Sequence, residues 1–371
     1  MKVTNIPGLG NFGVFVDDVN FEDNDEWLEI GRLHLEKLVT IVRKSGLTEE
    51  TYHKTISKWG RDRLNHISRL FKHYSWAKGD ALKIYFSPFT SEEDKKVLEE
   101  YARIRQGGVS NKYGNTLKIS GMRDRNGDRI GMFADGELLW HSNESGDISF
   151  TPGVALLGVK GMTKSCTGFM TTADYYYEVS DSFRSELDEM VLVHNFISGR
   201  INPGLNEPQD ELMYKNMAPI ENMEIPMVIK SPGGIKGLHY SYNTVTGIKG
   251  MSDRDAELVL SEIRSGLEKY AWDYWYENDD DLLIFDNTIT QHRRLGDTTN
   301  RLALRYAFDY TYLQSEPYQP YYQDEYKQRY ITSMTELAQS HEHSEIQIPS
   351  CLLYTSPSPR DATLSRMPSS A

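Results

Sequence analysis

Five short apolar runs, "GVALLGV" (153–159), "IPMVIKS" (225–231), "LHYSYN" (238–243), "LLIFDN" (282–287) and "LALRYAFDY" (302–310), are cut apart by Gly, Pro, Asn and Asp. Runs this short, ended by residues that favour turns, read as strands. A chain of alternating βαβ units would follow each with a helical stretch of its own, and this one does not. The expected class is therefore mostly β with flanking helices, a sandwich or a barrel. "NFGVFVDDVN" (11–20) alternates apolar and polar residues like an early strand.

Helical spacing is confined to a few places. From Asp25 to Lys44 the residues Trp27, Ile30, Leu33, Leu35, Leu38, Val39 and Val42 recur at helical intervals, which predicts one long helix. Thr48 and Thr51 suit the start of a second, over Glu49–Trp59. Ser91–Tyr101, Tyr175–Val193 and Ser252–Tyr270 are expected to be helical as well, with Ser91 and Ser252 as caps. Residues 1–335 read as a single domain. Beyond them, residues 336–371 read as a disordered tail. The stretch "CLLYTSPSPRDATLSRMPSSA" (351–371) resembles tails on unrelated translated metagenomic reads and is set aside as non-native.

Charge and cysteine usage exclude several roles. The formal net charge of the 371 residues is −13, with no block of Lys and Arg to meet phosphates, so nucleic acid is not an expected partner. Cys166 and Cys351 make no framework, which suits a reducing compartment, and Cys166 reads as a small buried residue. Neither a signal sequence nor an apolar stretch of membrane-spanning length is visible, so the expectation is a cytoplasmic protein without membrane contact. Nothing excludes a homo-oligomer.

Two distant segments carry chemistry. "GELLWHSNES" (136–145) places His141 at the end of an apolar run with Asn143 two residues on; "DLLIFDNTITQHRR" (281–294) places His292 after a strand and a short turn. A mononuclear iron that activates oxygen is commonly held by two histidines and a carboxylate on one face, leaving positions open. On a β-scaffold a histidine and the residue two along reach such a metal from one strand end. Nine residues past His292 comes Arg301, and four further Arg305, which share a strand parity and so face the same side. Inward arginine needs an anion, and its planar fork fits a carboxylate. A dicarboxylate that chelates iron by its 2-oxo acid end would offer its far carboxylate there.

With these segments in view the chain resembles the iron(II)/2-oxoglutarate-dependent taurine/2,4-dichlorophenoxyacetate dioxygenase family, over about residues 10–312. The resemblance runs through "NFGVFVDDVN", "SGLTEETYHKTISKWG" (45–60), "WHS" (140–142), "SCTGFMTTADYY" (165–176), "MVIKSPGGIKGLHYSYNTVTGIKGMSDRDAELVLSEI" (227–263) and, most specifically, "DLLIFDNTITQHRR". It implies a double-stranded β-helix, a distorted jelly roll. It also implies Fe(II), 2-oxoglutarate as co-substrate and O2, with succinate and CO2 released as a small molecule is hydroxylated. His141 and His292 become iron ligands, Thr167 and Arg301 the clasp for the far carboxylate, and Arg305 the second family arginine, able to reach an anionic substrate.

Asn143 departs from the family pattern, which has a carboxylate there. Four readings stay open. Asn143 itself ligates iron in an active oxygenase. Glu144 or Asp147 supplies the carboxylate, which for Glu144 requires a bulge. The position takes a halide, as in halogenating relatives, although asparagine is bulkier than the small residue they carry. Or catalysis is lost and a binding protein remains. The active oxygenase is the expectation, because His292, Thr167, Arg301 and Arg305 occur together. His34, His53, His66, His73, His194 and His239 read as structural or exposed. The histidines of "SHEHSE" (340–345) read as solvated tail, and "ENDDDLL" (277–283) as a turn rather than a calcium loop. Arg305 in a buried ion pair is the plainer alternative to a substrate anchor.

Overall fold

The computed structural model describes residues 1–61, 109–110, 116–127, 130–131, 133, 136–146, 150–195 and 222–314. The helix expected over Ser91–Tyr101, Asp147, and the stretch from 336 onward lie outside them. Strands are numbered in chain order. The larger sheet holds β1 (Lys2–Asn5), β2 (Gly13–Asp17), β3 (Val39–Val42), β4 (Val109–Ser110), β5 (Thr116–Ser120), β7 (Gly153–Lys160), β15 (Leu282–Asp286) and β17 (Leu302–Phe308). Their order is β1-β2-β3-β15-β7-β17-β5-β4, antiparallel except for β2 against β3. The smaller sheet runs β14-β8-β16-β6, from β14 (Ala271–Trp275), β8 (Ser165–Thr171), β16 (Thr290–Gly296) and β6 (Leu138–His141). Accessory ribbons join β10 (Met223–Pro226), β9 (Val191–His194) and β13 (Val245–Ile248), and β11 (Val228–Lys230) with β12 (Lys236–Leu238). Mostly β with flanking helices is the class observed.

The sequence LLIFD of β15 is buried at every position because the strand lies inside the larger sheet, between β3 and β7. That burial on both faces explains a continuous apolar run where an exposed strand would alternate.

Two expectations need correction. The helix read over Asp25–Lys44 is α1 (Asn24–Lys37), capped by Asp23, whose carboxylate accepts from the amides of Asp25 and Glu26. It stops at Leu38, at φ 60°, and Val39–Val42 becomes strand β3. Four consecutive β-branched residues lose side-chain freedom in a helix and suit a buried pleat, so helical spacing there was coincidental. Likewise Tyr175–Val193 is α3 (Thr172–Glu178), a break at Val179–Ser180, α4 (Asp181–Glu189) and then β9. Ser180 caps α4 through the amide of Phe183. Between these elements lie α2 (Glu49–Ile56), with a reciprocal Thr48–Thr51 cap, and later α5 (Asp253–Leu267). "LHYSYN" leaves the strand after Leu238, with Ser241 and Asn243 turned into the interior.

One face of the larger sheet is covered by α1 and α2. Trp27 and Trp59 are fully buried and stacked with ring centres 4.4 Å apart. Each indole N–H is satisfied, Trp27 donating to the Thr55 carbonyl at 2.8 Å and Trp59 to that of Trp27 at 3.2 Å. Removing such a ring costs about 3–5 kcal/mol. His34 of α1 is buried beside them, its Nε2 2.8 Å from the Tyr310 hydroxyl and its Nδ1 3.2 Å from that of Thr40. The opposite face of the sheet looks towards β6, β8 and β16 across a small cavity.

Candidate metal centre

His141 ends β6 and His292 lies within β16, directly opposite it across an antiparallel pair. The ring centres are 4.1 Å apart. A register shift follows, because Arg294 pairs with Leu138, so β6 carries one more residue than β16 between the two pairs. This bulge sends Trp140 to the outer face, where the Arg293 guanidinium lies 4.5 Å over its ring, and leaves His141 inside. The Nδ1 of His141 is 2.7 Å from the Leu139 carbonyl, which fixes the ring and leaves Nε2 for a ligand. Burial holds the His141 pKa down to about 4; the Leu139 carbonyl opposes this, and Arg305 and Arg294 reinforce it. His292 is pushed well below its ordinary value, by burial first and then by His141 and Arg305. Both rings are neutral near pH 7, as metal coordination requires.

Asn143 follows in a turn and points its amide at the same place, Nδ2 donating to His292 Nε2 at 3.3 Å. Turning the amide over would present its oxygen instead. Among the described residues no Asp, Glu or Cys joins the two histidines. Glu144 faces elsewhere. At φ 58° its carboxylate accepts from Thr151 Oγ1 at 3.2 Å and pairs with Arg305 Nη2 at 3.3 Å. The Glu144 carboxylate is thus directed at Arg305 and Thr151 and not at the two histidines, and Arg305 has a carboxylate partner within the chain.

Across the cavity Thr167 of β8 and Tyr276 share a hydrogen bond of 3.0 Å between their hydroxyls. The Arg301 guanidinium sits 5.8 Å from the centre of the Tyr276 ring. Arg301 is 2 % exposed, and its Nε and Nη1 reach no hydrogen-bond partner among the described residues. Burial lowers its pKa. A sealed guanidinium with idle donors, next to a threonine hydroxyl, presents the kind of donor set that a carboxylate fits. Thus His141, Asn143, His292, Thr167, Arg301 and Arg305 all line one cavity of about 80 Å³.

Three contributors were not foreseen. Asn287 is fully buried and clamps the turn: its Oδ1 accepts from the Asn143 amide at 2.9 Å, and its Nδ2 donates to the Asn143 and Thr151 carbonyls, both at 2.8 Å. Arg294 donates to the carbonyls of Gly136 and Phe133 and holds the approach to β6. Tyr276 orients Thr167. Their only signal was proximity in sequence to the histidine motifs or to the strand ends. Cys166 is buried with its thiol pushed up to about 12, by burial first, as a packing residue would be. His194 and His239 are buried too, bonded to Thr244 Oγ1 and to the Thr288 carbonyl. No helix among the described residues is long and apolar enough to cross a membrane.

The profile of a family described as "Taurine catabolism dioxygenase TauD, TfdA family" matches residues 2–307. No protein of curated function matches the sequence. Solved structures do resemble the fold. A taurine dioxygenase from Burkholderia xenovorans aligns with a TM-score of 0.54 at 17% identity, over 83% of this chain and 88% of that one. A structure of AAD-2 in complex with Mn(II) and N-oxalylglycine aligns with a TM-score of 0.56 at 16% identity, over 83% of this chain and 96% of the other.

Proposed function

This chain belongs to the TauD/TfdA family of 2-oxoglutarate-dependent dioxygenases, and on that premise we propose that it is an iron(II) oxygenase that hydroxylates a small molecule. In this reading the two sheets form a double-stranded β-helix, and the metal is held by His141, His292 and the amide oxygen of Asn143. Thr167 and Arg301 receive the far carboxylate of 2-oxoglutarate. When bound, iron and 2-oxoglutarate together supply oxygen activation, with succinate and CO2 as co-products. The chain's own residues keep both imidazoles neutral by burial, fix His141 through the Leu139 carbonyl and line the cavity beside them with apolar Phe285 and Leu156.

One observation carries the proposal. Two neutral histidines lie with ring centres 4.1 Å apart, and a buried Arg301, whose Nε and Nη1 reach no partner among the described residues, lines the same cavity. Neither half has a structural reason to be there without an occupant. Asn143 also favours a second reading, a binding protein without turnover, because an amide donates to iron more weakly than a carboxylate. Halogenation requires room for a halide at the third position, and the Asn143 amide, 3.3 Å from His292 Nε2, takes that room.

Anaerobic addition of Fe(II) and 2-oxoglutarate should produce the weak visible band of the chelate, and admitting O2 should release succinate. If neither appears, the oxygenase reading is lost. A band without succinate selects the binding protein. Asn143→Asp should tighten Mn(II) binding by ~10-fold or more, read by the loss of the free-ion EPR signal, because a neutral donor becomes anionic. Unchanged affinity would remove Asn143 from the ligand set.

A further inference from the structure

Four arginines line the cavity, and the chain itself occupies three of them. Arg293 forms a two-pronged pair with Asp273, at 2.9 and 2.6 Å. Arg294 is taken by backbone carbonyls. Arg305, on β17, is paired with Glu144, and the two side chains are 13% and 12% exposed. Among the described residues of this lining, Arg301 is the arginine left with no carboxylate or carbonyl partner. Arg305 meets Glu144 through Nη2 alone, its Nε reaching no partner among the described residues, whereas the charge of Arg301 meets no carboxylate there. The co-substrate proposed above takes Arg301.

We propose that Glu144 fills, from within the chain, the place an anionic substrate would take on Arg305, so that the site selects neutral or cationic substrates. This rests on the metal and 2-oxoglutarate reading only in that Arg301 is assigned to the co-substrate. The backbone at Glu144 is in the left-handed region, φ 58°, which a glutamate adopts only when its contacts hold it there. Those contacts are the Arg305 guanidinium on one carboxylate oxygen and the Thr151 hydroxyl on the other. An anion taking the Nη2 edge of Arg305 would displace Glu144 and leave a largely buried carboxylate without its cation, which disfavours exchange. Apart from the arginines, the two histidines, Asn143 and Thr167, the lining is apolar, with Ile119, Leu138, Val154, Leu156 and Phe285, and suits an uncharged hydrocarbon or ring portion.

The site keeps a negative charge in moving it by one residue. Where Asn143 is neutral, Glu144 carries the carboxylate, directed at Arg305 rather than at the metal position. Glu144 is therefore a specificity-determining residue. Its test needs a readout that metal binding does not move.

Wild type and Glu144→Gln are titrated calorimetrically with propanesulfonate, phenoxyacetate and the uncharged phenoxyethanol. Each titration is run with and without Mn(II) and N-oxalylglycine. The variant should bind the two anions ~10-fold or more tightly than wild type, with phenoxyethanol unchanged. The gain should vanish in Glu144→Gln/Arg305→Gln. Equal anion binding in wild type and variant, or none in either, overturns the proposal. Should Glu144→Gln not fold, Glu144→Asp, too short to span to Arg305, is read the same way. Failure of the metal reading is separate, because it shows as no binding of Mn(II) and N-oxalylglycine, whereas the ratio between variant and wild type is read in either state.

Discussion

Asn143 lies on a backbone that a single distant side chain secures. Asn287 meets both the N–H and the carbonyl of Asn143 and then reaches Thr151, all without exposure to solvent. Replacing it with Ala strands three backbone groups, at about 1–3 kcal/mol for each left unsatisfied. The turn at 143–146 then loses its aim while both histidines stay in place. Asn287→Ala should weaken Mn(II) binding by roughly 10-fold or more, and Asn287→Asp, which keeps the acceptor for the Asn143 amide, should recover part of it. Equal Mn(II) affinity in all three proteins, by EPR titration, would leave Asn287 a purely structural residue. His141, His292, Arg301 and Arg305 could be singled out by residue type and spacing, Thr167 only through the family resemblance, and the fold brings all five to one cavity. An ion pair at Arg305 was legible as an alternative, but its partner Glu144 was not, since the pairing depends on a left-handed backbone at a residue type that seldom announces one. Asn287 was invisible as a clamp because its partners are brought to it by the fold.

At the level of elements, α1 is tied to the larger sheet through a histidine that never meets water. His34 bonds Thr40 of β3 and Tyr310 just past β17, and burial brings its pKa down to about 3 from an ordinary 6.5. The unfolded chain therefore binds a proton at His34 that the folded chain refuses. Its contribution to stability is complete above pH 6.5 and is lost as pH falls from there towards 3. In denaturant titrations, His34→Gln should lower stability at pH 7.5 yet flatten its decline between pH 6 and 4 by up to ~1.4 kcal/mol per pH unit. An unaltered slope would place the acid response elsewhere, among His141, His239 and His194. The same junction marks the limit of pattern reading. β15, β7 and β17 were visible because each is a single apolar run ended by turn residues. β3 was absorbed into the helix before it because the chain passes between them through Leu38 alone, and its apolar residues fit both periods. The break between α3 and α4 was missed for a related reason, since Ser180 caps a helix that starts only two residues after the last one ends.

Across the whole molecule, the two sheets close on a guanidinium that no carboxylate among the described residues neutralises. Arg301 follows the turn into β17, a strand that lies between β7 and β5 in the larger sheet, so the cost of its idle donors falls on the body of the fold. A dicarboxylate that binds there should stabilise the chain by about 2.7 kcal/mol at a concentration 100 times its dissociation constant. Protease digestion offers a direct reading. Cleavage of the metal-free protein should slow when 2-oxoglutarate is added, whereas Arg301→Met should start out more resistant and gain nothing further. Identical wild-type digestion with and without 2-oxoglutarate would leave Arg301 without that anion. Where opening and reclosing are fast, degradation follows the population of the open form, and an unneutralised cation inside the closed form raises that population. If Arg301 holds the dicarboxylate as proposed, the persistence of this protein, and not only its turnover, follows the supply of that anion, and a chain starved of it would be removed instead of standing idle.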